Sequence, residues 1–290
     1  MDYNKPTVVA ASMIQAGIDK INLSAGDLLV RGVLSGAILG FGTTLALTAT
    51  AQTGLAIVGA ALFPACFIIV VLMGLELVTG SFAVLPMAYF DKKIDFLAML
   101  KNLLLVFVGN LLGGLLYACL FCISISQFGH EEKSAVAQLI VKIAEAKTIG
   151  YAQYGLDGIV SVFTKGVLCN WMVTTGVVLG MSSNSSTGKI LAAWLPIFIF
   201  FGQGFEHAVV NMFVIPAGII LGADVSISNW WLFNQLPVTF GNLLGGVVFT
   251  AWALYYTFGK NKRVNTIISS SARKKSLQEQ VVKLEVVEEC

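Results

Sequence analysis

The chain has 290 residues, of which 57% are hydrophobic and only 12% are charged, and its formal net charge is +2. A soluble domain carries about 25% charged residues, and it could not bury this much apolar surface in its interior. The composition therefore excludes a soluble enzyme, a disordered chain and a nucleic-acid-binding protein, and it indicates an all-α protein that crosses the membrane several times.

Six apolar stretches are long enough to cross the hydrocarbon core of a bilayer, which takes about 20 helical residues. In chain order they are Leu28–Ala51, Leu55–Phe90, Leu97–Phe128, Gly158–Met181, Ile190–Leu221 and Pro237–Phe258. The second and the fifth are too long for one helix and carry polar residues at their centres. We therefore expect six transmembrane helices, of which the second and the fifth are broken.

Three segments lie outside these spans: residues 1–26, the loop 131–157 and the polar tail 261–290. Apolar residues in the first segment recur at helical spacing. This pattern indicates either an amphipathic helix on the inner membrane surface or a short connecting helix. The tail is assigned no function.

The basic residues predict the orientation of the chain. With six spans, the N-terminus, the second and fourth loops and the C-terminus share one side of the membrane. Most basic residues outside the long loop fall on that side: Lys5, Lys20, Arg31, Lys92, Lys93, Lys101, Lys189, Lys260, Lys262, Arg263, Arg273, Lys274 and Lys275. By the positive-inside rule both termini are cytoplasmic, the loop 131–157 is extracellular, and the protein lies in the cell membrane.

Three short motifs occur twice, in the same order and at nearly the same distance along the chain. The pairs are Arg31-Gly-Val-Leu-Ser-Gly36 with Lys165-Gly-Val-Leu-Cys-Asn170, Gly74-Leu-Glu76 with Gly204-Phe-Glu206, and Gly109-Asn-Leu-Leu-Gly-Gly114 with Gly241-Asn-Leu-Leu-Gly-Gly246. The halves 27–130 and 158–260 therefore hold three spans each, and an odd number forces the second half to insert upside down. Inverted repeats are typical of transporters, whose site lies between the halves. The glycines are expected to let helices approach closely.

Both broken spans place an acid, then hydroxyl, amide or imidazole groups, and then a proline in an apolar run. The prolines are Pro86 and Pro216, ten residues after the acids Glu76 and Glu206. Non-helical backbone at membrane depth persists only where protein buries it or where it lines a water-filled cavity. Two such breaks predict one central pathway, with the positive N-terminal ends of half-helices facing it.

His207 is the principal candidate for function, because an ionisable side chain at membrane depth marks a pathway and an imidazole titrates near neutral pH. Thr79, its approximate counterpart in the first half, offers a hydroxyl to the imidazole or to the permeant. Asn170 could either hold the imidazole or satisfy freed backbone groups. Glu76 and Glu206 occupy matched positions and are expected to support the breaks by bonding exposed backbone N–H groups.

Other polar residues near the breaks are weaker candidates for a functional role. Asn211 is expected to support the fifth-span break, and it stands where a metal-binding H-E-x-x-H motif would need its second histidine. The sequence therefore predicts no metal, no cofactor and no enzymatic activity. Arg31 and Lys165 occupy matched positions at opposite mouths, either as ordinary membrane-end side chains or as parts of an anion funnel.

These motifs resemble those of the formate–nitrite transporter family. Glu76-Leu-Val-Thr79 resembles the break in the family's second helix, and Lys165-Gly-Val-Leu-Cys-Asn170 resembles its fourth-helix motif. Gly204-Phe-Glu-His207-x-x-x-Asn211-Met-Phe-x-Ile-Pro216 is similar to the fifth-helix signature, which is the most specific of the three. The resemblance covers residues 5–260, and the stretch 144–170 is similar to the formate-dehydrogenase-associated branch.

The resemblance implies an aquaporin-like six-helix protomer, a homopentamer in the lipid bilayer, and one pore per protomer for small monovalent anions. It implies that Thr79, Asn170 and His207 line the pore centre. Apolar constrictions on either side of the centre would be formed by Phe63, Phe67, Leu77, Val78 and Phe200.

The resemblance also implies a lysine at the pore mouth, for which the chain offers two candidates. Lys147 matches the family's Ala-x-x-Lys motif, but its distance from Asn170 along the chain is longer than in the common pattern. Lys165 is the alternative. In addition, Val78 stands where an aromatic residue is common, which implies a wider or differently built inner constriction.

We expect a formate channel or transporter in which protonation accompanies passage. Cationic mouths attract the anion, desolvation between apolar rings favours the neutral acid, and His207 lends a proton directly or through water. The same pore could instead pass nitrite, hydrosulfide or lactate. A different class, an aquaporin-like pore for neutral solutes, would require the Asn-Pro-Ala pairs that the sequence lacks.

Overall fold

The protein is described by a computed structural model for residues 2–131, 133–260 and 267, and this part of the chain is built from helices. The predicted polar tail, residues 261–290, lies outside the described residues except for Ile267. In chain order the helices are α1 Pro6–Ile21, α2 Ala25–Thr53, α3 Ala56–Leu72, α4 Val78–Phe90, α5 Phe96–Ser126, α6 Ala135–Lys147, α7 Ile149–Ala152, α8 Gly155–Met181, α9 Ser186–Gly202, α10 Ala208–Ile220 and α11 Ile227–Gly259.

Within the described residues, four helices are long and apolar enough to cross a membrane, namely α2, α5, α8 and α11. Helices α4 and α10 have 13 residues each, so they are about 20 Å long and shorter than the hydrocarbon core. Each follows another short apolar helix, α3 or α9, after a break of five residues. The protein therefore has the apolar helices of a multi-pass membrane protein, with one broken pair in each half.

The two breaks have the same backbone conformation. Gly74 and Gly204, the second residues after α3 and α9, adopt positive φ angles of 63° and 66°. This left-handed conformation ends a helix at low cost only with glycine. The chain then becomes extended, with φ −119° and ψ 117° at Leu77 and φ −111° and ψ 119° at His207. The repeated Gly-x-Glu motif therefore produces one local structure twice.

The long helices cross each other in matched pairs at glycines. A Cβ atom on Gly32 of α2 would lie 3.1 Å from the Cα of Gly109 in α5. A Cβ atom on Gly241 of α11 would lie 3.2 Å from the Cα of Gly166 in α8. Larger residues would push these backbones apart, so the glycines of the repeated motif allow the close approach that the sequence predicts.

Helix α1 is bound to protein along its apolar face. Its residues Ala10, Met13 and Ile14 are buried in a cluster with Met87 of α4. A Cβ atom on Gly17 would lie 2.4 Å from a main-chain oxygen of α4. Of the two alternatives that the sequence leaves open, this packing favours a connecting helix, because α4 covers the apolar face that a membrane would take.

The segment 131–157, which the sequence predicts as a loop, contains helices α6 and α7. Ala137, Ile140 and Ala144 are buried at helical spacing on one face of α6. A Cβ atom on Gly218 of α10 would lie 2.3 Å from the Cβ of Ala144, so α6 packs closely on α10. Helix α6 therefore covers α10 as α1 covers α4.

The last span begins at Ile227, ten residues before the predicted start at Pro237. The Ser226 side chain caps it by accepting a hydrogen bond from the N–H of Asn229, at 3.0 Å. The turn Trp231–Gln235 is wound more widely, as a π-helical turn. A proline cannot donate the usual helical hydrogen bond, and such a wide turn lets the helix continue through one.

Candidate functional site

The first break is held by an asparagine of the repeated Gly-Asn-Leu-Leu-Gly-Gly motif. Asn110 Oδ1 accepts a hydrogen bond from the N–H of Val78, at 2.9 Å. Its Nδ2 donates to the carbonyl oxygens of Glu76 and Gly32, both at 2.9 Å. One buried side chain thus satisfies three backbone groups that lack a helical partner at the break, as buried backbone groups require.

The second break is held by the same residue of the second copy. Asn242 Oδ1 accepts from the N–H of Ala208 at 2.8 Å, and Nδ2 donates to the carbonyl oxygens of Glu206 and Gly166 at 2.9 and 2.8 Å. Glycine packing is the only role that the sequence predicts for this motif, so neither asparagine is among the predicted site residues. The sequence does contain a feature that indicates their role, because the motif, including its asparagine, is identical in the two halves.

Glu76 and Glu206 form buried ion pairs instead of bonding the freed N–H groups as expected. Glu76 Oε2 lies 2.5 Å from the Nζ of Lys20, and Glu206 Oε2 lies 2.7 Å from the Nζ of Lys147. The glutamate side chains are only 5% and 2% exposed. A carboxylate this deeply buried requires a cationic partner, while the asparagines of the repeated motif accept from the N–H groups of Val78 and Ala208.

The two lysines are themselves held in matching ways. Lys20 and Lys147 lie at the ends of α1 and α6, and their carbonyl oxygens accept hydrogen bonds from Asn102 and Asn234, both at 2.9 Å. The repeat therefore includes a covering helix with its terminal lysine in each half. Lys20 was not among the predicted site residues.

On the α6 side, a hydrogen-bonded group surrounds Glu206. Asn211 Nδ2 donates to its Oε2 at 2.8 Å, and the hydroxyl of Tyr151 donates to its Oε1 at 2.9 Å. The Nζ of Lys165 donates to the Tyr151 oxygen at 3.0 Å. The structure thus brings both candidate lysines, Lys147 and Lys165, to Glu206, the first directly and the second through Tyr151.

On the α1 side, a cavity of about 330 Å³ leads towards the first break. Its charged lining residues are Asp19, Lys20, Arg31 and Glu76, and its apolar lining includes Phe67 and Leu77. Arg31, the sequence counterpart of Lys165, therefore faces a cavity at this mouth. The cavity also reaches two of the predicted constriction residues.

His207 and Thr79 meet between the two breaks, and both are almost fully buried. The Nε2 of His207 lies 2.9 Å from the Oγ1 of Thr79. The Nδ1 of the same ring accepts a hydrogen bond from the N–H of Val210, at 3.2 Å, and so caps α10. Because Nδ1 acts as an acceptor, the hydrogen-bond network assigns the ring hydrogen to Nε2, which donates it to Thr79.

This arrangement suits a neutral imidazole. A proton on Nδ1 would point at the Val210 N–H, so an imidazolium would lose the contact that caps α10. The expectation that His207 lends a proton is therefore not favoured by the geometry. Instead, the ring donates a hydrogen bond to the Thr79 oxygen. The Thr79 hydroxyl can then donate its own hydrogen bond to another acceptor.

Asn170 is fully buried and binds backbone, the second of the two roles considered for it. Its Nδ2 donates to the carbonyl oxygen of Asn242 at 2.6 Å and to that of Thr79 at 3.2 Å. No hydrogen bond to His207 is present among the described residues. Asn170 therefore fixes the position of Thr79 relative to the second break.

The five predicted constriction residues are all buried in one apolar cluster: Phe63, Phe67, Leu77, Val78 and Phe200. The Phe200 ring stacks on the imidazole of His207, with 5.7 Å between centroids. Phe63 meets Phe200 edge to face at 5.8 Å. The apolar residues therefore lie against the polar centre and, through Phe67 and Leu77, against the α1-side cavity.

Two helix N-termini also meet at this centre, because α4 begins at Val78 and α10 begins at Ala208. The next N–H groups, of Thr79 and Val209, have no acceptor among the described residues. Free N–H groups in a first turn carry the positive end of the helix dipole. The centre thus combines a hydroxyl, an imidazole and two positive helix ends within apolar walls, which suits a small anion or its conjugate acid.

Comparison with known proteins gives consistent matches along the chain. The family model described as "Formate/nitrite transporter" matches residues 7–256. The chain is 34% identical to a "Probable formate transporter" of Methanothermobacter thermautotrophicus, over 81% of this chain and 90% of that protein. It is 30% identical to the "Formate channel BtFdhC" of Bacillus thuringiensis, over 90% of this chain and 98% of that protein. A solved "Pentameric formate channel with formate bound" has the same fold, with a TM-score of 0.66 and 24% identity over 81% of this chain and 98% of that one.

Proposed function

This chain belongs to the formate/nitrite transporter family, and we propose that it passes formate through a pore in each protomer. The family consists of membrane transporters and channels, which are not enzymes. The choice of formate rests on the relatives of M. thermautotrophicus and B. thuringiensis, which cover most of the chain. The observation that carries the proposal is the buried contact of Thr79 with His207 between two helix N-termini.

The architecture we propose is six spans in two inverted halves, 27–130 and 158–260. The first span is α2, the second is α3 with α4, and the third is α5; α8, α9 with α10, and α11 follow in the same order. The matched glycine crossings, asparagine clamps and lysine–glutamate pairs support this assignment. The basic residues support cytoplasmic termini, so that residues 1–26 and 261–290 lie inside and 131–157 outside.

We further propose a homopentamer embedded in lipid. Large apolar side chains are exposed along the outer faces of the long helices, among them Leu104, Leu112, Leu116, Phe240 and Trp252. Such a surface requires lipid or other subunits around it. The solved channel with the same fold is pentameric.

The two mouths are proposed to attract the anion. Lys147 and Lys165 lie at the outer mouth, and Lys20 and Arg31 line the inner one. Each mouth holds one lysine paired with a buried glutamate and a second cation nearby. Each cation can bind an anion by direct contact, although Asp19 and Glu76 balance Lys20 and Arg31 at the inner mouth. At the outer mouth the Lys147–Glu206 pair leaves the charge of Lys165 in excess, which also raises the local concentration of anions.

At the centre, formate is proposed to cross as neutral formic acid. A bare carboxylate would lose roughly several kcal/mol on desolvation between apolar side chains, and protonation avoids most of that cost. Desolvation raises the pKa of the carboxylic acid, so it takes up a proton from the water of the mouth as it enters. The Thr79 hydroxyl, held by His207, then donates a hydrogen bond to it.

Competition in proteoliposomes tests the identity of the permeant. Uptake of labelled formate would be measured with nitrite, hydrosulfide or lactate as competitors. The proposal predicts saturable formate uptake that is absent from empty vesicles. Passage of hydrosulfide or nitrite without formate would move the assignment to those anions, and water passage alone would indicate a neutral-solute pore.

A variant tests whether the central contact serves transport. His207→Ala removes both the cap of α10 and the partner of Thr79. Formate flux is expected to fall to the level of empty vesicles while the protein still assembles. Unchanged flux with an unchanged pH profile would contradict the proposed role of the centre.

A further inference from the structure

The hydroxyl of Tyr151 separates a cation from a buried acid at the outer mouth. It accepts a hydrogen bond from the Nζ of Lys165 at 3.0 Å and donates one to Glu206 Oε1 at 2.9 Å. The same ammonium also lies 5.2 Å from the centroid of the Tyr151 ring. Tyr151 therefore touches Lys165 with both its ring and its hydroxyl.

The charges around Tyr151 are unequally compensated. Lys147 pairs directly with Glu206 at 2.7 Å, so these two charges largely cancel. The partner of Lys165 is a phenol, which carries no charge near neutral pH. Burial, together with the neighbouring Glu206 carboxylate, raises the pKa of Tyr151 above its usual range, so the hydroxyl keeps its hydrogen. Lys165 therefore retains an uncompensated positive charge.

The local fold holds Tyr151 in this place. Helix α7 follows α6 after Thr148, whose hydroxyl donates to the Ala144 carbonyl oxygen at 2.7 Å. A Cβ atom at Gly158 would lie 2.0 Å from the main-chain oxygen of Tyr151. Only glycine therefore allows α7 to pack on the first turn of α8, the helix that carries Lys165.

We propose that Tyr151 is a positioning residue of the outer mouth, which keeps Lys165 from pairing with Glu206 and so leaves its ammonium available to the incoming anion. Without the hydroxyl, Glu206 Oε1 would lose its donor and would draw the ammonium towards itself. This inference rests on the proposed function, because it concerns how the same pore captures its anion.

Tyr151→Phe tests the proposal, because it removes the hydroxyl and keeps the ring. We expect KM for formate uptake from the outer side to rise about tenfold, with the maximum rate within about twofold of wild type. The salt dependence of KM is also expected to weaken, because a paired Lys165 no longer attracts anions from a distance. A purely structural role would lower the maximum rate without changing the salt dependence.

Two further variants make the test specific. Lys165→Gln alone is expected to raise KM at least as much, and adding Tyr151→Phe to it is expected to have no further effect, since both act through one charge. Tyr154→Phe is the matched control, because Tyr154 lies in the same segment, is 65% exposed and should leave KM unchanged. Melting temperature and subunit assembly are compared for all variants.

An unchanged KM in Tyr151→Phe, or additive effects of the two substitutions, would overturn the proposal. If Tyr151→Phe does not assemble, KM is measured for Lys165→Gln alone. An unchanged KM in that variant overturns the proposal. The proposed function is tested separately by wild-type flux. If the wild type passes another monovalent anion instead of formate, the same ratios are measured with that anion.

Discussion

Thr79 and His207 are 128 residues apart in the chain and meet at 2.9 Å in the interior. The sequence predicted both as candidates, because an ionisable side chain at membrane depth marks a pathway and Thr79 is the approximate counterpart of His207 in the first half. It could not predict the hydrogen-bond roles of the imidazole. Those roles depend on the N–H of Val210, which faces Nδ1 only because α10 begins directly after His207.

The hydroxyl of Thr79 is predicted to be essential for flux. Thr79→Val keeps the shape of the side chain but removes the hydrogen-bond partner of His207 and the donor to the permeant. We expect formate flux to fall by at least about tenfold, the equivalent of one hydrogen bond of about 1.4 kcal/mol. Stopped-flow measurements on proteoliposomes would quantify the fall.

Thr175→Val is the matched control for that measurement. Among the described residues, the Thr175 hydroxyl bonds only to the Trp171 carbonyl oxygen of its own helix, in an exposed contact of 2.7 Å. Its removal should leave flux within experimental error of wild type. Equal flux in Thr79→Val and Thr175→Val would show that the Thr79 hydroxyl takes no part in passage.

At the scale of helices, the breaks and the glycine crossings could be predicted, because Gly74 and Gly204 stop helices by local conformation alone. The covering role of α1 and α6 could not be predicted from the sequence. An amphipathic pattern shows that a helix has an apolar face, but it does not show whether lipid or protein covers that face. Glu76 and Glu206 were assigned the wrong partners for a similar reason, since Lys20 and Lys147 approach them only after these helices pack.

The asparagines of the repeated motif are predicted to stabilise the breaks. Asn242→Ala leaves the Ala208 N–H and the carbonyl oxygens of Glu206 and Gly166 without this partner. A single unsatisfied buried group costs about 1–3 kcal/mol, so we expect a clear fall in melting temperature in detergent. Asn229→Ala, a change in the first turn of α11, is the control and should melt like wild type. A wild-type melting temperature for Asn242→Ala would contradict this role.

The N-terminal segment is predicted to detach from the α8–α9 connection in acid. The Asp2 carboxylate accepts hydrogen bonds from the Ser183 hydroxyl at 2.9 Å and from the N–H groups of Asn184 and Ser185 at 2.9 and 2.8 Å. These bonds lower the pKa of Asp2 below its usual 3.8. A lowered folded-state pKa means that this stabilisation is complete above about pH 4 and is lost as the pH falls through the lowered value.

Asp2→Asn reproduces the protonated state at neutral pH. We expect faster hydrogen exchange at the N–H groups of Asn184 and Ser185 in this variant at pH 7. Asp224→Asn, a change at an exposed acid elsewhere, should leave their exchange unchanged. Equal protection of both N–H groups in wild type and Asp2→Asn would show that the carboxylate does not hold this segment.

For the whole molecule, composition alone predicted a membrane protein, and the repeated motifs predicted two related halves. The structure adds a covering helix with its lysine to each half, which local motifs could not show because α1 and α6 share a role but little sequence. Each mouth contains one lysine–glutamate ion pair, and these matched pairs likewise form only through contacts between helices that are distant in the chain.

The proposed orientation predicts which residues are accessible from each side of the membrane. In a background without Cys119 and Cys290, Tyr154→Cys should react with a membrane-impermeant maleimide in intact cells. Lys189→Cys should react only after the cells are opened. The reverse pattern would place both termini outside and would exchange the inner and outer mouths.

The coupling of formate flux to protons tests most directly whether formate crosses as the neutral acid. Wild-type proteoliposomes containing a pH-sensitive dye would receive labelled formate at external pH 5 and pH 7.5. Passage as the neutral acid predicts faster uptake at pH 5 and acidification of the lumen in step with formate. Fast uptake that is independent of pH, with no change in internal pH, would show that the bare anion crosses and would contradict passage of the neutral acid past the Thr79–His207 centre.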